Sequence, residues 1–198
     1  MNRKLIICVL LFSGFISCNS DPAPRPKGYF KIDLPPKAYK LFKKPEYPYQ
    51  FEYPVYSSVI KDSLFFDKAP ENPYWINLHF PQFQATLHVT YKSVGNAESL
   101  QKMIDDAFRL TGKHSIKASS IDEIPVKGSE QVTGFLFNVG GNAATGKQFF
   151  LTDSSHHFIR GALYFEATPN YDSIRPVEDF LYQDILHLIQ TLRWKEHE

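Results

Sequence analysis

Three spacings of apolar residues run along this 198-residue chain, and each predicts a different kind of element. The first is continuous: Leu5 to Ile16, led by Arg3 and Lys4 and closed by Ser17-Cys18. The second alternates. Ile76, Leu78 and Phe80 share one face of a strand over 74–80, and Leu87, Val89 and Tyr91 share one face of a strand over 86–92. Paired antiparallel across the Pro81–Ala85 loop, they set Phe80 against Leu87 and Leu78 against Val89, with His79 beside His88 on the other face. The third spacing is helical. Asn96 caps a helix carrying Leu100, Met103, Ile104, Ala107, Phe108 and Leu110 on one stripe, and Gly112 is placed to stop it.

Other segments read less sharply. Gln50–Tyr56 is a first strand interrupted at Pro54, which an edge position tolerates. Residues 114–130 are mixed and polar, a short strand with loops around Pro125 and Gly128. Aromatic strands near 131–139, 147–153 and 157–167 form an antiparallel meander, joined by Gly140–Gly146 and Ser154–His156. After a turn at Pro169-Asn170-Tyr171-Asp172, Pro176 fits as the first residue of a last helix, with Glu178 and Asp179 complementing its dipole. Its buried stripe is Val177, Phe180, Leu181, Ile185, Leu188, Ile189 and Leu192. No internal repeat is visible. Strands, a helix, more strands and a closing helix predict an α+β domain, an antiparallel sheet with two main helices packed on it.

The continuous run has the layout of a secretory signal ending at a lipid-modified cysteine. Its twelve residues fall short of the roughly 20 that a spanning helix needs. Phe15-Ile16-Ser17-Cys18 resembles a bacterial lipobox, although Phe15 and Ile16 stand where leucine and a small residue are usual. That resemblance implies acylation at Cys18 and a membrane contact through its acyl chains. Cys8 lies inside the run, so the mature chain has no disulfide framework. The expected organisation is a signal peptide over 1–17, a tether and strap over 18–48, and a single α+β domain over 49–195.

In the tether, alternating prolines from Pro22 to Pro26 favour extended polyproline geometry. Between Asp21 and Glu46 seven basic residues face three acidic ones, a balance suited to a solvated linker or to anionic head groups. Tyr29, Phe30, Tyr39, Phe42, Tyr47 and Tyr49 interleave them, so residues 29–50 are expected to form a strap packed on the domain or on a partner. Across the whole chain 22 basic residues balance 21 acidic ones, which gives no net field for nucleic acid. Aromatic content of 15% favours strands.

Candidate chemistry is sparse. Gly141 to Gln148 nearly spells a phosphate-binding loop, but Gln148 replaces the magnesium-binding hydroxyl and a strand follows, so a hairpin loop is expected. Asp153-Ser154-Ser155-His156-His157 offers an acid, hydroxyls and imidazoles in a polar turn, without a Gly-x-Ser-x-Gly elbow. His79 with His88 would need a third metal ligand from elsewhere. Asp105-Asp106 and Asp122-Glu123 are sequence neighbours, so they diverge and make poor acid–base pairs. The polar surface candidates are therefore His79, His88, Asp153 and His156; no cofactor, metal ligand or catalytic residue is expected.

The order of elements looks like the Mog1/PsbP-like fold. Gly28–Pro35, Tyr49–Tyr56, Trp75–Pro81, Lys113–Ala118, Gln148–Ser154 and His157–Phe165, continuing through Pro169-Asn170 and Asp172 to Arg193-Trp194, resemble the gliding motility lipoprotein GldD family of the Bacteroidota. The resemblance implies a non-enzymatic envelope component of the gliding machinery. It implies a tie to type IX secretion and other lipoprotein subunits as partners, with an outer-membrane, periplasm-facing location. Only the acylated cysteine carries over as a functional residue, at Cys18. The contrasting expectation is a small-ligand or metal-binding envelope lipoprotein with hydrolase activity at the Asp153–His157 turn.

Overall fold

A computed structural model describes residues 31–61, 71–129, 131–168 and 170–195. The chain divides into two units, Met1–Lys31 and Ile32–Glu198, and every element described here belongs to the second. The signal, Cys18, Tyr29 and Phe30 lie outside the described residues.

The second unit is α+β. Its larger sheet has seven antiparallel strands in the order β3-β4-β5-β9-β8-β7-β6. These are β3 (Ser58–Lys61), β4 (Ile76–Phe80), β5 (Ala85–Ser93), β6 (Ala118–Lys127), β7 (Thr133–Gly141), β8 (Lys147–Thr152) and β9 (His157–Phe165). A smaller sheet runs β1-β2-β10, from Tyr39–Phe42, Tyr49–Pro54 and Arg193–Trp194. Among the described residues two α-helices complete it, α1 (Ala97–Gly112) and α2 (Tyr171–Thr191).

Alternation along the strands assigns the helices to opposite faces of the large sheet. Leu136, Phe149, Leu151, Ile159 and Leu163 join one core with Leu181, Ile185, Leu188 and Ile189 of α2 and with Phe42, Tyr49 and Phe51 of the small sheet. Phe137, Phe150 and Phe158 point the other way and meet Ala107, Met103 and Phe108 of α1. With both faces covered, β8 carries apolar residues consecutively at Phe149-Phe150-Leu151. The meander β7-β8-β9 forms as its aromatic spacing predicts.

Several local expectations are corrected. The β4–β5 hairpin pairs Leu78 with Leu87 and Phe80 with Ala85, a slip of two residues from the expected register. The loop tightens into a 3-10 turn at Pro81–Phe83, and Gln84, in the left-handed region at φ 47°, closes it on Pro81. A slip of two keeps every side chain on its predicted face, so Ile76, Leu78 and Phe80 stay in the core. It does separate the histidines: His79 lies opposite Thr86 and His88 opposite Asn77.

Strand β2 is the central strand of the small sheet, not an edge. Pro54 is tolerated because it is the last residue of β2, where the ladder ends and a missing N–H costs little. Residues 118–127 form a full ten-residue strand, β6, at the sheet's edge; Pro125 and the charges of Asp122, Glu123 and Lys127 fit such an edge. Helix α1 does end at Gly112, but without a left-handed glycine cap. Gly112 keeps right-handed geometry, and the chain tightens into a 3-10 turn over Lys113–Ile116. Helix α2 begins at Tyr171, so Pro176 sits inside its second turn rather than at its start. Asn96 does cap α1 as expected, in a reciprocal box with Ser99.

The aromatic strap is structural. Tyr39–Phe42 pairs with β2, and Phe42, Tyr47 and Tyr49 are buried in the main core.

Candidate functional site

Three polar sites were expected from the sequence, and the fold explains each locally. At the β8–β9 turn, Ser154 takes a left-handed conformation at φ 66°. That lets the Asp153 carboxylate turn back on the chain: its Oδ1 accepts the amides of Ser155, His156 and His157 at 2.8–3.0 Å. Burial pushes the Asp153 carboxyl upward, but the three amides and the Ser155 hydroxyl outweigh it and hold it below the usual carboxylate range. Ser155 Oγ donates to Asp153 Oδ2 at 3.0 Å. His156 Nδ1 stands 3.8 Å from that oxygen, and its ring is exposed to solvent. The acid thus lies between hydroxyl and imidazole, which is the wrong order for activating a serine.

The next residue, His157, is buried under Trp194, their rings stacked with centroids 4.9 Å apart. Its Nδ1 is 2.8 Å from the Tyr91 hydroxyl, whose pKa is pushed up to about 12 by burial and by the Asp153 charge. Gln131, Lys195 and the Asp153–His157 turn surround a broad concavity of about 720 Å³ in front of Trp194.

His79 and His88 share the face of the sheet opposite the main core. They do not form a pair: His79 Nδ1 contacts Thr86 Oγ1 at 3.2 Å and His88 Nδ1 contacts Asn77 Oδ1 at 2.7 Å. Among the described residues no group of three or more His, Cys, Asp or Glu side chains is disposed to hold a metal ion.

The near phosphate-binding loop is a β7–β8 hairpin loop, as expected. It packs on α2. Asn142 Oδ1 accepts the Tyr171 amide at that helix's start, and Lys147 Nζ lies 3.2 Å from Glu178 Oε2. A Cβ on Gly146 would fall 1.8 Å from the Glu178 carboxylate, so glycine is required there to admit the ion pair. Burial raises the Glu178 carboxyl even against the Lys147 charge.

Sequence reasoning missed the densest polar cluster. Asp184 of α2 is buried and accepts hydrogen bonds from Tyr39 (3.0 Å) and Tyr56 (2.5 Å), with Lys37 Nζ at 2.7 Å. Lys37 also donates to the Phe180 carbonyl and lies 3.3 Å from the centre of its ring. Tyr39 stacks on His187, and His187 Nε2 meets Glu52 Oε2 at 2.7 Å. The signal was present: Asp184 stands three residues from Leu181 and four from Leu188, a carboxylate inside a buried stripe.

Among the described residues no helix is long and apolar enough to cross a membrane. A family model described as "Gliding motility lipoprotein GldD" matches residues 19–194. No curated protein matches the chain. A solved structure, the solution structure of cyanobacterial PsbP (CyanoP) from Synechocystis sp. PCC 6803, aligns over 84% of this chain and 98% of its own. Its sequence identity to this chain is 10% and its TM-score 0.48.

Proposed function

Because the chain belongs to the gliding motility lipoprotein GldD family, we propose that it is a non-enzymatic envelope subunit of the gliding apparatus, linked to type IX secretion. Acyl chains on Cys18 anchor it to the periplasmic side of the outer membrane. Its task is to dock on and stabilise other lipoprotein subunits.

The observation that carries this reading is the extent of the match, which begins one residue after Cys18 and runs through β10. The polar groups support it. Asp153 is occupied by backbone amides, and His79, His88 and Lys147 each have a partner within the fold. The described rings of the strap, Tyr39, Phe42, Tyr47 and Tyr49, pack within the domain, so docking falls to what stays exposed nearby. Ile32, Leu34, Leu41 and Val55 are apolar and 36–54% exposed, on and around β1. Scattered exposed apolar residues are ordinary, but four on and around one strand make a contact edge.

The test is crosslinking in intact cells, with a photoreactive residue at Leu41 or, as control, at Ile116. Other gliding or secretion subunits should be captured from position 41 in preference to 116. Absence of such subunits from every crosslink, with motility retained in a deletion strain, overturns the docking role.

A further inference from the structure

On the α1 side of the large sheet, one charged side chain stands without an ion-pair partner among the described residues. Arg160 of β9 lies opposite Thr90 of β5 and Phe150 of β8. A guanidinium carries five N–H donors and stays charged at neutral pH. Its side-chain acceptor is Gln148 Oε1, at 2.6 Å. Among the described residues, none of the ion pairs involves Arg160. Burial depresses its proton affinity, as expected of a cation withdrawn from water without a counter-charge. Gln148 is itself buried, and its Nε2 has no hydrogen-bond partner. Beside the half-buried guanidinium, one buried amide donor is thus left without an acceptor.

Beside Arg160 opens a cavity of about 160 Å³, walled by Thr90, Phe158 and the Met103, Ala107 and Leu110 side of α1. An apolar cavity of about 150 Å³ accommodates benzene, so the volume suits one aromatic ring or a short acyl chain. The two other charges that line it are already paired, Asp106 with Arg109 at 2.7 Å and Lys92 with Glu71 at 2.9 Å. Inorganic phosphate would satisfy the guanidinium but leave the apolar wall uncovered.

We propose that this cavity binds a small organic carboxylate, with Arg160 gripping the carboxylate through paired N–H donors and α1 covering an aryl or short-chain body. The site lies on the face opposite the small sheet and does not depend on the docking role.

The test titrates full-length protein in neutral detergent micelles with para-fluorobenzoate, followed by fluorine NMR. Saturable binding is expected, with contacts from the ring to the Met103 methyl. The neutral amide, which lacks the charge, and acetate, which lacks the ring, should each bind at least about tenfold more weakly. Arg160→Gln should weaken para-fluorobenzoate binding by at least about tenfold while keeping the parent's thermal transition. Equal binding of acid and amide overturns the proposal, as does an unchanged affinity in folded Arg160→Gln, or the lack of saturation up to about 10 mM. Should Arg160→Gln fail to fold, the acid, amide and acetate comparison on the unsubstituted protein decides the matter alone.

Discussion

Asp184 holds more of the N-terminal segment than any other single side chain. Lys37, Tyr39 and Tyr56 converge on its two oxygens, which come from the middle of a buried helical face. Removing one partner of a well-buried ion pair costs about 3–5 kcal/mol, but Lys37 is partly solvated, so Asp184→Ala is expected to cost about 2–3 kcal/mol. Chemical denaturation measures this. Burial and then the Asp184 charge push the Tyr39 phenol up to about 12, and the same causes, with its hydrogen bond to Asp184, raise Tyr56 further. In Asp184→Asn both phenols should titrate at lower pH, while burial keeps them above free tyrosine; alkaline absorbance titration reports the change. Asp153 gives the opposite pH signature. Its carboxyl is held below the unfolded value, so its contribution is complete above the ordinary carboxylate pKa, near 4, and is lost as pH falls through the depressed value. Asp153→Asn should therefore destabilise the protein at neutral pH, by about 1–3 kcal/mol, and the difference from the parent should shrink in acid. Thermal unfolding across pH 2 to 7, roughly the span of that titration, checks it.

At the level of elements, close approach between strands also limits side-chain size. A Cβ on Gly161 of β9 would fall 2.3 Å from the Phe149 ring on the neighbouring strand. Gly161→Ala should cost about 1–3 kcal/mol by overpacking, seen as a lower denaturation midpoint with an unchanged slope. Elements with a strong period were legible in the sequence: the β7–β9 meander, α1 with its Asn96 cap, and the faces of β4 and β5. What periodicity does not encode was missed. A register slip of two leaves the faces unaltered, so only the turn geometry at Pro81–Gln84 could reveal it. The start of α2 was hidden because Pro176 suits a first turn, whereas the helix gains an earlier turn from Asn142 on another loop. The polar candidates were visible as residues, and the Asp153 turn formed as a unit. The Asp184 cluster joins residues about 130–145 positions apart, a separation that local patterns do not report.

For the whole molecule, the domain and its attachment are separable. The core buries rings from the small sheet, the large sheet and α2 together, so folding is expected to proceed without acylation at Cys18. Cys18→Ser should release the protein from the membrane fraction, while the purified variant keeps the thermal transition of the parent. Detergent partitioning and calorimetry measure the two halves of that expectation.

The route by which the chain leaves its anchor matters mechanically. Under the proposed anchoring at Cys18, tension along the chain is borne in the described residues first by β1, which starts at Tyr39. Antiparallel pairing with β2 and the clasp of Lys37 and Tyr39 on α2 resist it together. A pull along that strand loads its bonds with β2 in parallel and not one after another, which is the stiffer arrangement.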